Sequence, residues 1–117
     1  MRRAPILRVV FFASEGGREP VREWLRELSR HDRQTIGADL KTAQFGWPMG
    51  MPLIRKLDGD LWEVRSRLRD GVARTLFTVR GSTMVILHAF VKKGRRAPEV
   101  EIDVARRRLA RLKGRPR

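Results

Sequence analysis

The chain has 117 residues, with 27 Lys plus Arg against 13 Asp plus Glu and a formal net charge of +14. It contains no cysteine and only two histidines, which excludes disulfide frameworks, thiolate chemistry and zinc sites rich in Cys or His. Hydrophobic residues at 41% and charged residues at 34% fit one folded domain over 1–117 with a modest core. No stretch approaches the roughly 20 apolar residues of a membrane helix. The apolar patch near the N-terminus is broken by Arg8 and too short for a signal core, so a cytoplasmic location is expected.

Ile6 to Ala13 is β-branched and aromatic, bounded by Pro5 and Glu15-Gly16-Gly17, and reads as a strand. Pro20 suits the first turn of a helix, where its missing N–H costs nothing. Val21, Trp24, Leu25 and Leu28 then recur at helical spacing. Asp32 is the expected cap of a second helix running to about Phe45, with Ile36, Leu40 and Ala43 inward. The short break implies two antiparallel helices. Gly46 to Pro52 is a loop.

From Leu53 the period changes to that of strands. Leu53 to Leu57 is either a short strand or an irregular run into the Asp58-Gly59-Asp60 turn. Leu61 to Leu68, Val72 to Arg80 and Thr83 to Val91 are strand-length, separated by turn signals at Asp70-Gly71 and Gly81-Ser82. Lys92 to Arg96 is a basic loop. Pro98 opens a third helix whose acids lie early and arginines late, as the macrodipole favours. Residues 114–117 are expected to fray. Separate runs of helix and strand give an α+β class: a twisted antiparallel sheet, an N-terminal helical hairpin packed on it, and a C-terminal helix. Whether the first strand pairs in parallel or antiparallel fashion is open at this point.

The charge is uneven. Residues 1–54 carry a net +3 and residues 55–117 a net +11. Such an excess, mostly arginine, points to a polyanionic partner: RNA, DNA, ribosome or an acidic protein. Strand parity puts Glu63, Arg65 and Arg67 on one face and Trp62, Val64 and Leu68 on the other. With Asp70-Gly71 as the hairpin turn, Arg67 falls opposite Arg74 and Arg65 opposite Leu76, with Arg74 facing solvent. Like charges opposed on a sheet favour an anion between them. In the last strand, parity places Met84, Ile86, His88, Phe90 and Lys92 together, and Val85, Leu87, Ala89 and Val91 on the reverse. His88 is either a proton carrier or a hydrogen-bonded structural histidine. Lys92, Lys93, Arg95 and Arg96 form a candidate phosphate clamp where the strand ends.

Other constellations fail. The glycine pairs lack a phosphate-loop ending, no serine sits in a nucleophile elbow, and no metal or other cofactor is expected. Trp24 and Trp62 fall on core faces, so packing outweighs base stacking there.

An ordered motif series remains. It runs Leu61-Trp62-Glu63-Val64-Arg65, Gly71-x-x-Arg74, Ile86-Leu87-His88-Ala89-Phe90-Val91-Lys92-Lys93, Ala97-Pro98-Glu99 and Glu101-Ile102-x-x-Ala105-x-x-Arg108. Upstream, Pro20-Val21-x-x-Trp24-Leu25 and Met51-Pro52-x-x-x-Lys56-Leu57 extend it. The series resembles the HigB-like, phage-associated branch of the RelE/ParE toxin superfamily, over about residues 7–112. That resemblance implies a toxin of a type II toxin–antitoxin system, a ribosome-dependent, metal-independent endoribonuclease (an mRNA interferase). Its implied partners are mRNA, the ribosome and a cognate antitoxin, a helix-turn-helix protein from the neighbouring gene. Arg65 and Arg74 match positions that hold the scissile phosphate, and Lys92 and Lys93 match basic positions at the last strand's end. The chain has no tyrosine, whereas several relatives use one for proton transfer, so His88 or Lys92 would take that role. Arg67, Arg95 and Arg96 would bind RNA. The rival readings are a non-catalytic RNA-, DNA- or ribosome-binding module of the same fold and a nuclease acting on free RNA.

Overall fold

The computed structural model describes residues 4–92, 94 and 98–115. Its elements run β1 (Arg8–Phe11), α1 (Pro20–Glu27), α2 (Arg30–Gly46), β2 (Ile54–Asp58), β3 (Leu61–Leu68), β4 (Gly71–Arg80), β5 (Thr83–Lys92) and α3 (Glu99–Lys113). The strands form one sheet in the order β1-β5-β4-β3-β2. All pairings are antiparallel except β1 with β5, which is parallel. The α+β architecture read from the sequence is the one observed.

Both helical layers follow from the apolar pattern. On one face, Val21 of α1 and Ile36, Leu40 and Ala43 of α2 pack with Val64, Phe77, Met84 and Ile86. On the other, Ala105 of α3 packs with Leu61, Leu76, Val85 and Leu87. The interior strands β4 and β5, which carry apolar residues on both faces, are therefore covered on both sides. Phe77 is fully buried at the centre; truncating such a ring to Ala costs about 3–5 kcal/mol.

Several local details differ from expectation. β1 is shorter than Ile6 to Ala13 because the Ile6 and Leu7 amides donate to the Gln44 carbonyl at 3.0 and 3.1 Å, which diverts them from the ladder. Ser29, rather than Asp32, caps α2: its Oγ accepts from the Asp32 amide at 3.1 Å, so the helix starts a turn earlier. The run after Leu53 is a true strand, β2, paired with β3. At the C-terminus, Gly114 and Arg115 are not frayed: their amides reach the Ala110 and Leu112 carbonyls at 3.2 Å. Residues 116 and 117 lie outside the described residues.

Two corrections to register matter for the site. The β3–β4 hairpin turns on Arg69-Asp70, since Leu68 pairs with Gly71. This moves each partner by two residues, so Arg65 lies opposite Arg74 and Arg67 opposite Val72. A shift of two preserves the faces. In β5 the pairing jumps from Leu76 with His88 to Phe77 with Ile86, leaving Leu87 as the extra residue of a β-bulge. Beyond the bulge the parity inverts: Ala89 joins Met84 and Ile86 in the hairpin-side core, while Phe90 joins Val85 and Leu87 beneath α3. The β4–β5 turn falls at Gly81-Ser82 as expected, with Gly81 at φ 61°, the left-handed conformation that a tight hairpin turn asks of glycine. No helix among the described residues is long and apolar enough to cross a membrane.

Candidate functional site

Three adjacent strands bring three cations to one place. Arg65 of β3 faces Arg74 of β4 across the ladder, and Lys92 of β5 pairs with Val72, two residues before Arg74. Alternation on β4 keeps Val72 and Arg74 on the α3 side of the sheet. There Arg65, Arg74 and Lys92 line a cleft of about 370 Å³ with Asp70, Gly71 and Gly94. The hairpin turn supplies Asp70, and Gly94 follows the end of β5.

Arg74 does not face solvent as parity alone suggested; it is 8% exposed. Its Nη1 lies 3.7 Å from Oε2 of Glu63, a carboxylate only 1% exposed. This contact is too long for a hydrogen bond and acts as an electrostatic tether. The Nε atoms of Arg65 and Arg74 and Oε1 of Glu63 are buried without a hydrogen-bond partner. Buried donors of this kind are costly unless something accepts from them.

His88 does not join the cluster. Its Nε2 sits 3.2 Å from Oε2 of Glu101 and its Nδ1 3.3 Å from Nη1 of Arg108, both on α3. Arg108 also donates to the Leu87 carbonyl at 2.8 Å. A guanidinium can only donate, so Nδ1 accepts and the proton resides on Nε2, pointing at Glu101. Burial pushes the imidazole below its ordinary value, with Glu101 opposing that and Arg108 adding to it. Phe90 stacks on the ring at 6.0 Å. Thus His88 ties β5 to α3 and is not among the residues that line the cleft of Arg65, Arg74 and Lys92.

Arg67 also departs from the group. It is exposed and lines a second cleft of about 390 Å³ with Thr35, Asp39, Pro52 and Leu53. Arg65 and Val72 line both clefts, so the two are contiguous over the β3–β4 hairpin. Lys93, Arg95 and Arg96 lie outside the described residues. Among the described residues no group of three or more His, Cys, Asp or Glu side chains could hold a metal ion. Trp24, Trp47 and Trp62 all pack against the hairpin-side core, with Trp47 edge-on to Trp62 at 5.3 Å.

Sequence reasoning missed Glu63 and Asp39 as members of these sites. Alternation already placed Glu63 beside Arg65. What it could not convey is that the folded sheet leaves that carboxylate only 1% exposed. Asp39 stands four residues after Thr35 on α2, hence on the same helical face, but nothing local aims that face at the β3 edge.

A model of the family described as "Phage derived protein Gp49-like (DUF891)" matches residues 23–110. No curated protein matches the chain. The family match corrects the resemblance drawn from the motif series: the assignment is to this family and not to the HigB-like branch of the RelE/ParE superfamily. The toxin, RelE-like and mRNA-interferase descriptions rested on that resemblance and fall with it. The series misleads because its pieces are largely what this fold demands. Trp62 and Val64 pack the hairpin-side core, Ile86 to Val91 fill an interior strand, and Pro98 precedes the first turn of α3.

Proposed function

The chain belongs to the family of phage-derived Gp49-like proteins, and we propose that it binds single-stranded RNA by gripping a backbone phosphate between Arg65, Arg74 and Lys92. The observation that carries this reading is the convergence of Arg65, Arg74 and Lys92 on one cleft whose lining includes a single acid, Asp70. A phosphodiester supplies acceptors and negative charge together, which suits a cleft lined by three cations and would relieve the opposed arginines. The cleft is a recess at the end of the sheet, suited to a flexible strand rather than a rigid duplex. The net charge of +14 would add a long-range, salt-sensitive attraction.

Strand cleavage is the second reading, favoured by the way Glu63 holds Arg74 from beneath. Cations fixed in advance stabilise a phosphoryl group as its charge grows. Attack by a 2′-hydroxyl also needs a proton acceptor, and Asp70 is the carboxylate lining the cleft.

Labelled single-stranded RNA, titrated with protein across a salt series and then resolved on a gel after incubation with EDTA, separates the readings. Binding that weakens as salt rises, with Arg65→Ala and Lys92→Ala each lowering the salt slope by about one, is the expected result. Shortened products from the wild type but not from Asp70→Asn would establish cleavage. RNA that binds wild type and both cation variants equally would overturn the proposal, and DNA bound as tightly as RNA would remove its preference for RNA.

A further inference from the structure

We infer that the second cleft is a nucleobase subsite selective for guanine, occupied by a base of the strand whose phosphate lies in the first. The inference rests on the RNA-binding reading and extends it from backbone to sequence. Its first support is continuity. Arg65 and Val72 line both clefts, so a nucleotide held by its phosphate in one has its base within reach of the other.

The second support is the lining. Pro52 and Leu53 offer an apolar wall for the face of a base, and Asp39 and Arg67 supply an acceptor and a donor for its edge. The cleft, at about 390 Å³, lies in the size range of ordinary ligand pockets. Arg65 adds a planar guanidinium on which a base can stack.

The third support is Asp39 itself. It is a half-buried carboxylate in a protein with twice as many cations as acids. Among the described residues it takes part in none of the ion pairs, although six are formed. Thr35, one turn earlier, directs its hydroxyl proton to the His31 carbonyl at 3.1 Å and leaves Asp39 unengaged.

The chemistry of the edge selects the base. A carboxylate has two acceptor oxygens and no donor. Guanine alone among the four bases presents two adjacent donors, N1–H and the N2 amino group, beside the O6 acceptor that an arginine prefers. Adenine and cytosine offer Asp39 a single amino group with an acceptor next to it, and uracil a lone ring N–H between two carbonyls. Those acceptors would face the carboxylate.

The experiment measures affinity of the intact protein for four short oligouridylates that carry G, A, C or U at one central position. Guanine should bind about tenfold tighter than the others, the discrimination expected of one good bidentate contact. Asp39→Asn should abolish that preference without weakening the all-uridine oligomer, since loss of a carboxylate from a cationic cleft does not repel phosphate. A merely structural role for Asp39 would weaken all four oligomers together. If Asp39→Asn does not fold, Arg67→Ala, at an exposed position, tests the same base edge and should also lose the preference. Equal binding of all four oligomers, or a guanine preference that survives in the folded variants, overturns the subsite while leaving RNA binding intact. Failure to bind any oligomer overturns the RNA reading itself.

Discussion

Arg65 and Arg74 are direct partners across the β3–β4 ladder, two like charges opposed on one sheet face. Like charges directly opposite destabilise a sheet. Here a single buried carboxylate, Glu63, offsets only one of them, at 3.7 Å from Arg74. The arrangement leaves positive charge on β3 and β4 that an anion would relieve.

Replacing one arginine should therefore separate stability from binding. Arg65→Thr removes the repulsion and places a good strand former on β3. It should raise the melting temperature of the free protein slightly while reducing RNA affinity. Inorganic phosphate should raise the melting temperature of wild type more than that of the variant. Equal stabilisation of both by phosphate would mean that the cleft does not hold the anion.

Glu63 should be indispensable to the fold. Removing one partner of a buried ion pair leaves the other charge without compensation, at about 3–5 kcal/mol. Glu63→Ala should lose roughly that amount in urea unfolding. The double variant Glu63→Ala with Arg74→Met should recover much of it, because neither charge then remains buried. A double variant no more stable than the single one would show that the pair is not what Glu63 provides.

Much of this architecture was legible in the sequence, for identifiable reasons. Val21, Trp24 and Leu28 mark α1 by period alone, and Gly81-Ser82 mark a turn by chemistry that few residues can supply. Arg65 and Arg74 were legible on one face because alternation survives a two-residue slip in register, whereas Lys92 was legible only as a cation where the last strand ends. His88 was misplaced relative to its neighbours because a bulge at Leu87 leaves no local signature: it depends on how β5 fits β4. Arg74 was misread as solvent-facing because its burial depends on the strands beside it, where Arg65 and Phe90 are its partners. Asp39 was silent for the same kind of reason, since only the docking of α2 against β3 brings it to the second cleft. Local pattern specifies the elements; side chains that depend on how two elements meet escape it.

The Gly81 turn gives a prediction independent of function. At φ 61° an L side chain meets its own backbone, at a cost of about 1–2 kcal/mol. No atom lies within 4 Å of where its Cβ would stand, so crowding adds nothing. Gly81→Ala should lose stability by about that backbone cost, with RNA binding unchanged, since the turn lies at the opposite end of β5 from Lys92. A loss of RNA binding in folded Gly81→Ala would contradict the placement of the site.

The last prediction concerns acid. In the unfolded chain His88 titrates near its ordinary value of 6.5, and in the folded protein burial holds it lower. Between those two values the unfolded state binds more protons, so stability falls as pH drops through that window. The loss begins near pH 6.5 and is complete once pH lies below the folded value. Glu23 and Asp60 also favour the folded state, but their folded values lie below ordinary ones of 4.5 and 3.8. Their contribution is present at neutral pH and begins to be lost only near those ordinary values, below the pH at which the loss at His88 begins. His88→Gln should isolate the histidine, because its amide can donate to Glu101 and accept from Arg108 as the neutral ring does. Denaturant midpoints measured from about pH 7.5 down to pH 5, a range bracketing ordinary histidine titration, should slope downward for wild type. They should be nearly flat for His88→Gln. Matching slopes in the two proteins would mean that His88 is not held neutral beneath α3.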